Sequence, residues 1–136
     1  MPKVTPITVD HVVFQSLLIP IRLPGLNEML AGCRQARGRS SAYAIAKNDS
    51  TAFVARLCKA QGLVPMSSGK FRFFWHERTR RRNPDNIAAG KKFILDGLVQ
   101  AGILPNDGWS EVVDYSDVFI HGVKDQVYVE MEGPAR

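Results

Sequence analysis

Residues 70–77 alternate: Phe71, Phe73 and Trp75 point one way along an extended chain, and Lys70, Arg72, Phe74 and His76 the other. The spacing predicts a strand with one buried face and one basic, partly aromatic face. Residues 126–132 alternate in the same way, with Val127, Val129 and Met131 as the apolar set. Residues 111–121 form a further strand, and the short Gly-Val-Lys-Asp connection between these two predicts a closing hairpin. Nearer the start, residues 11–19 are rich in β-branched and aromatic side chains, and Pro20 and Pro24 end that strand. Residues 1–10 carry two prolines and are expected to be a loose leader.

Helical spacing appears twice. After Ser41, a plausible N-cap, Tyr43, Ala46, Phe53, Leu57 and Ala60 recur at three-, four- and seven-residue steps until Gly62 ends the pattern. A second helix is expected over residues 84–101, a straight rod of roughly 26 Å, with Asn83 as N-cap and Pro84 at its first position. At about 100° per residue, Ile87, Ile94, Leu98 and Ala101 share one side of it, while Asp85, Lys92 and Asp96 fall within about 40° of one another opposite. The order strand–helix–strand–helix–strand–strand predicts an α+β fold, a mixed sheet of about four strands with two main helices packed on it. The 136 residues suit a single domain spanning 1–136.

Composition narrows the class. The chain is 45% hydrophobic and 23% charged, as an ordinary folded protein is. The apolar stretch over residues 12–21 is interrupted by Gln15 and Ser16 and is shorter than the ~20 residues a membrane helix needs. It lies too far inside the chain, without a basic lead, for a signal peptide, so a cytoplasmic protein is expected. Cys33 and Cys58 stand far apart without a CxxC pair, which predicts two free thiols rather than a disulfide or zinc site. The net charge of +5 favours a polyanionic partner.

Charge is concentrated in two places. Residues 32–41 are polar and glycine-containing, carry Arg34, Arg37 and Arg39 and show no periodicity, so a mobile basic loop is expected. Arg78, Arg80, Arg81 and Arg82 lead directly into Asn83, Pro84, Asp85 and Asn86. Capping alone accounts for this helix start, and Lys92 with Asp96 makes an ordinary exposed pair worth roughly 0.3–0.5 kcal/mol. Pro105, Asn106, Asp107 and Gly108 likewise make a good turn whatever their chemistry. Cations beside carboxylates also suit a site that draws in a phosphodiester and holds a metal ion. His11, His76 and His121 are scattered and read as strand or turn residues. Trp109 and Tyr115 read as core or interface side chains rather than base-stacking groups.

The basic run with Asp85-Asn86, then Lys92-x-x-x-Asp96-x-Leu98, Ala101-Gly102 and Asn106-Asp107, resembles the signature of the RusA family of Holliday-junction resolvases. The central 30 residues carry the resemblance, and Pro24, Asn27 and the closing strands support it. The resemblance implies an α+β nuclease domain that works as a homodimer on four-way DNA junctions and other branched DNA with Mg²⁺, which Mn²⁺ can replace. By position it implies Asp85 and Asp107 as metal ligands, Lys92 at the scissile phosphate and Asn86 orienting a carboxylate or a metal-bound water. Asp96 is assigned a structural or dimer role. Asn83 and Asn106 stand where the family usually has aspartates, and the helix lysine lies about one turn later than usual. An amide oxygen ligates without adding charge, so Glu77 or Asp114 is expected to supplement the site.

A mechanism follows as an expectation. The ion would activate water, Lys92 would offset charge in the transition state, and Arg78, Arg80, Arg81, Arg82, Arg34, Arg37, Arg39, Lys70, Arg72 and Lys91 would hold backbone phosphates without reading sequence. A straight helix would keep Asp85 and Asp107 apart. A break at Gly90 or Gly97, a connection folded back over residues 103–107, or a second subunit would reunite them, and the two-fold dimer is the expected solution. The alternatives are a catalytically weakened junction-binding relative and a small RNA-binding protein, the latter without any recognised motif.

Overall fold

A computed structural model describes residues 6–34 and 42–136, and the side chains among these except at positions 32–34 and 42–47. The elements in chain order are β1 (Ile7–Val9), β2 (Val12–Ile19), α1 (Leu26–Arg34), α2 (Ala42–Ala60), β3 (Gly69–Glu77), α3 (Pro84–Ala88), α4 (Lys91–Gln100), β4 (Val112–His121) and β5 (Gln126–Pro134). The strands form one five-stranded mixed sheet in the order β1-β2-β5-β3-β4. β4 runs parallel to β3, and the other neighbours are antiparallel. The fold is α+β.

Alternation builds the sheet as the sequence predicts. Phe71, Phe73 and Trp75 of β3, Val127, Val129 and Met131 of β5, and Val13, Leu17 and Ile19 of β2 all face the core. Val54 and Cys58 of α2 and Phe93, Ile94 and Leu98 of α4 cover that face. Each fully buried aliphatic side chain contributes about 1.5–3 kcal/mol. Gly97 sets the closeness of the two helices, because a Cβ there would stand 2.5 Å from Val54. Gly102, at φ +77°, ends α4: its N–H donates to Val99 O, and the Ile103 N–H donates to Leu98 O. That turn sends the chain back along α4.

Several expectations change. Part of the expected leader is β1, which pairs with β2 through a turn in which Asp10 and His11 both have positive φ. This is the two-residue geometry that matches strand twist, and it removes His11 from the strand. The final strands are not hairpin partners, since β3 lies between them. Parallel β3 and β4 need a long crossover, and residues 78–111 supply it. The basic segment at 32–41 begins inside α1, which runs to Arg34. Ser41, Arg37 and Arg39 lie outside the described residues, as do the side chains of Arg34, Tyr43 and Ala46. The stripe of α2 is turned by about one residue: Thr51, Val54, Ala55 and Cys58 are buried, Phe53 and Leu57 are half-buried, and Ala60 is exposed. Short side chains let α4 approach that side.

Polar side chains close the edge of β2. Gln61 donates to Leu18 O at 2.7 Å and accepts from Leu18 N–H at 2.9 Å. Gln15 does the same for Val64, at 2.8 and 2.9 Å. Both amides satisfy backbone groups that no neighbouring strand reaches.

Candidate functional site

The crossover carries every residue the sequence singled out for catalysis. It leaves β3 at Glu77 and enters β4 at Val112, whose register partner is Gly69 at the opposite end of β3. The arginine loop and the start of β4 therefore stand at opposite ends of the sheet, and the two helices run between them.

The expected straight rod is two helices. Ala89 and Gly90 keep right-handed helical angles, yet Gly90, Lys92 and Phe93 donate to carbonyls three residues back rather than four. This tightened turn separates α3 from α4. Asn83 occupies the N-cap with extended angles and Pro84 follows, but the Asn83 side chain makes no capping bond. Ile87 N–H instead bonds to the Asn83 carbonyl at 3.1 Å.

Lys92, Asp96 and Asp107 meet within one chain. Lys92 Nζ lies 3.1 Å from Asp96 Oδ1 and 3.8 Å from Asp107 Oδ2. The turn at Gly102 and the bond from Met66 N–H to Ile103 O at 2.8 Å bring the returning segment into place. Two of the intrachain routes open to the sequence, a tightened turn at Gly90 and a folded-back connection, are thus both present. Asp85 lies seven positions before Lys92, about 10 Å along a helix axis. Its exposed carboxylate accepts the Asn86 backbone N–H at 2.9 Å.

Other assignments change. Asn86 is buried, and its Oδ1 accepts the Asn27 N–H at 2.8 Å. It holds the first turn of α1. Arg82 gives two parallel bonds of 2.9 Å to Glu77 and one of 3.0 Å to Leu23 O, with its side chain only 10% exposed. Lys91 Nζ lies 2.7 Å from Asp117, which also accepts Trp75 Nε1–H at 2.8 Å, and 3.8 Å from the Tyr115 ring centroid. Arg82 and Lys91 are committed to carboxylates inside the chain rather than presented to phosphate. Glu77 is taken up by Arg82, and Asp114 sits on the open sheet face beside Lys70.

The open face of the sheet is mixed in charge. Lys70 lies between Glu132 and Asp114, and Arg72 between Glu130 and Ser116, around a hollow of about 560 Å³. Viewed alone, β3 is basic; β5 and β4 bring three carboxylates beside its two cations. Arg72 also lies 5.2 Å from the Phe74 ring centroid.

Arg78, Arg80 and Arg81 remain exposed, and none of their guanidinium groups pairs with a carboxylate among the described residues. Arg80 and Asn83 border a hollow of about 320 Å³ floored by Trp75, Ile87 and Phe119. Sequence reasoning missed Asp117 and Glu77 as the anchors of Lys91 and Arg82. It also missed Trp109, which is wholly exposed and therefore not core. The four-residue spacing of Lys92 and Asp96 was the available signal for their pairing.

A divalent ion needs oxygen ligands, and Asp107 and Asp96 supply that chemistry with an ammonium already between them. Among the described residues no group of three or more His, Cys, Asp or Glu side chains is placed to hold a metal. Nor is any helix there long and apolar enough to cross a membrane. No protein-family model and no curated protein matches the chain. Among solved structures it is similar to a chain of a HypE–HypF complex at 10% identity and TM-score 0.37, over 91% of this chain and 32% of that one.

Proposed function

We propose that this chain is a Mg²⁺-dependent endonuclease that resolves Holliday junctions or other branched DNA by phosphodiester hydrolysis, acting as a cytoplasmic homodimer. The observation that carries the reading is the meeting of Lys92 with Asp107, two residues 15 positions apart that the RusA resemblance picks out independently. Exposed Arg78, Arg80 and Arg81 at the start of the same crossover support it. They offer charge to a phosphate backbone without specifying sequence.

In this reading Asp107 and Asp85 would hold the ion, which Mn²⁺ can replace and whose chemistry there would be to acidify a water and polarise the phosphoryl oxygen. Lys92 stands beside Asp107 and offsets charge as the phosphorane-like state develops. The Asn83 amide, free of capping duty, would orient a phosphate or a water. Asn86 acts from below by fixing the α1–α3 contact.

A second reading has its own support. The described side chains lack a three-ligand cluster, and Asn83 and Asn106 bring no charge, as in a junction-binding protein with weakened catalysis. Incubating the protein with a labelled four-way junction and a linear duplex, each with Mg²⁺, Mn²⁺ or EDTA, separates the two. Metal-dependent cutting of the junction alone supports the nuclease; tight junction binding without cutting supports the second reading. Equal affinity for both DNAs removes the junction claim.

A further inference from the structure

Trp109 is wholly exposed, although an indole is among the side chains that gain most from leaving water. It does not hang on a loose strand. Gly108 N–H bonds to Glu111 Oε1 at 3.2 Å, and Glu111 N–H and Val112 N–H bond to Gly108 O at 3.2 and 3.0 Å. Gly69 N–H closes the turn onto β3 through Glu111 O at 2.8 Å. The ring is therefore presented from a pinned turn, two residues from Asp107 and its Lys92 contact. Its chain neighbours Asn106, Asp107, Gly108, Ser110 and Glu111 offer no large apolar side chain. A wholly exposed indole on a pinned turn, with Val113 and Tyr115 exposed on the strand that follows, suits a flat, aromatic ligand.

We propose that Trp109 is a stacking wedge that takes an unpaired or partly unstacked base of branched DNA beside the scissile phosphate, and that this gives selectivity for junctions over duplex. The inference rests on the nuclease reading for the position of the phosphate. The physical basis is the cost of opening a stack. Inserting an apolar side chain into an intact duplex must first break base stacking, whereas a branch point has already broken or weakened it. The ring's gain from stacking is the same in both cases, so only the branched substrate keeps it.

The two tryptophans make the test direct. Trp75 is buried and hydrogen-bonded to Asp117, so a change in indole emission on adding DNA reports Trp109. Binding of a four-way junction and of a linear duplex of equal length is measured in EDTA for the wild type, Trp109→Phe and Trp109→Ala. Circular dichroism checks the fold and sedimentation velocity the oligomeric state. The expected result is quenching by the junction but not the duplex, lost in Trp109→Phe. Junction affinity should fall about tenfold in Trp109→Ala and less in Trp109→Phe, with duplex affinity unchanged. Unchanged junction affinity in Trp109→Ala overturns the wedge. So does a fall in mass that tracks the loss of binding, because Trp109 would then anchor a second copy through the neighbouring exposed Val113 and Tyr115. Cleavage with Mg²⁺ is read separately: a wild type that binds junctions with quenching yet never cuts removes the nuclease reading and leaves the wedge standing.

Discussion

Arg82 and Glu77 face each other across the first turn of the crossover, guanidinium fork to carboxylate, with both contacts at 2.9 Å and the side chains only 10% and 12% exposed. A pair this far from water is costly to break, because the remaining partner keeps its charge without its counterion. Arg82→Ala should lower unfolding stability by about 3 kcal/mol, read as a shift in the urea midpoint. Arg82→Lys should recover less than half of this, since an ammonium cannot make two parallel bonds to Glu77 and still reach Leu23 O. A loss below about 0.5 kcal/mol would place the pair among ordinary surface contacts.

Arg78, Arg80 and Arg81 should behave in the opposite way. They are exposed and make no ion pair among the described residues, so replacing them leaves the unfolding midpoint where it was. Their effect should appear in DNA binding. Each Arg→Ala change should reduce the slope of log affinity against log salt by about 0.9, the release of one phosphate's counterion. Fluorescence anisotropy from low to moderate salt measures that slope. A slope that stays constant through all three changes would move the DNA elsewhere on the protein.

The contrast between these arginines shows where sequence was enough. Alternation in β3 and β5 and the periodicity of the second helix are local, and the buried faces of Phe71, Phe73, Trp75, Val129, Ile94 and Leu98 follow from them. Nothing local says that Arg82 folds inward while Arg81 stays out. That depends on Glu77 at the end of β3 and on the Leu23 carbonyl, 59 positions away. The charge of the open sheet face is non-local for the same reason, since Glu130 and Glu132 reach Arg72 and Lys70 only when β5 pairs with β3. Asn86 was legible as part of a motif. Its burial against Asn27 was not, because the partner is a backbone N–H rather than a side chain. The Lys92–Asp107 contact was in reach, because the Ala101-Gly102 ending announces a chain reversal.

Cys58 gives a pH prediction. Burial pushes its thiol up from 9.0 to about 12, so the folded chain holds the proton where the unfolded chain has released it. Between these values the unfolded state binds fewer protons, and stability falls as pH rises. The contribution is fully present below pH 9.0 and is lost as pH climbs toward about 12. In urea titrations across that window Cys58→Ala should show a flatter decline than the wild type, whatever its lower starting stability. The thiol should also resist disulfide reagents until the chain unfolds. Parallel declines for the two proteins would mean that other groups govern the alkaline side.

Lys92 and Asp107 lie 3.8 Å apart in one chain, which bears on how a dimer would share its work. If this contact is the working one, each subunit carries its own lysine and aspartate and needs neither from its mate. Lys92→Ala and Asp107→Asn should each reduce metal-dependent junction cleavage by 10² or more, on the order of the loss of one charge-stabilising group. The lysine is half exposed, so Lys92→Ala should leave stability within about 1 kcal/mol of wild type. Chains carrying Lys92→Ala are then unfolded and refolded with chains carrying Asp107→Asn. The mixture should stay as inactive as either parent, because every subunit lacks one member of the pair. Recovery toward a quarter of wild-type activity would show that the two residues act across the two-fold axis, and the intrachain contact would then be only a resting arrangement.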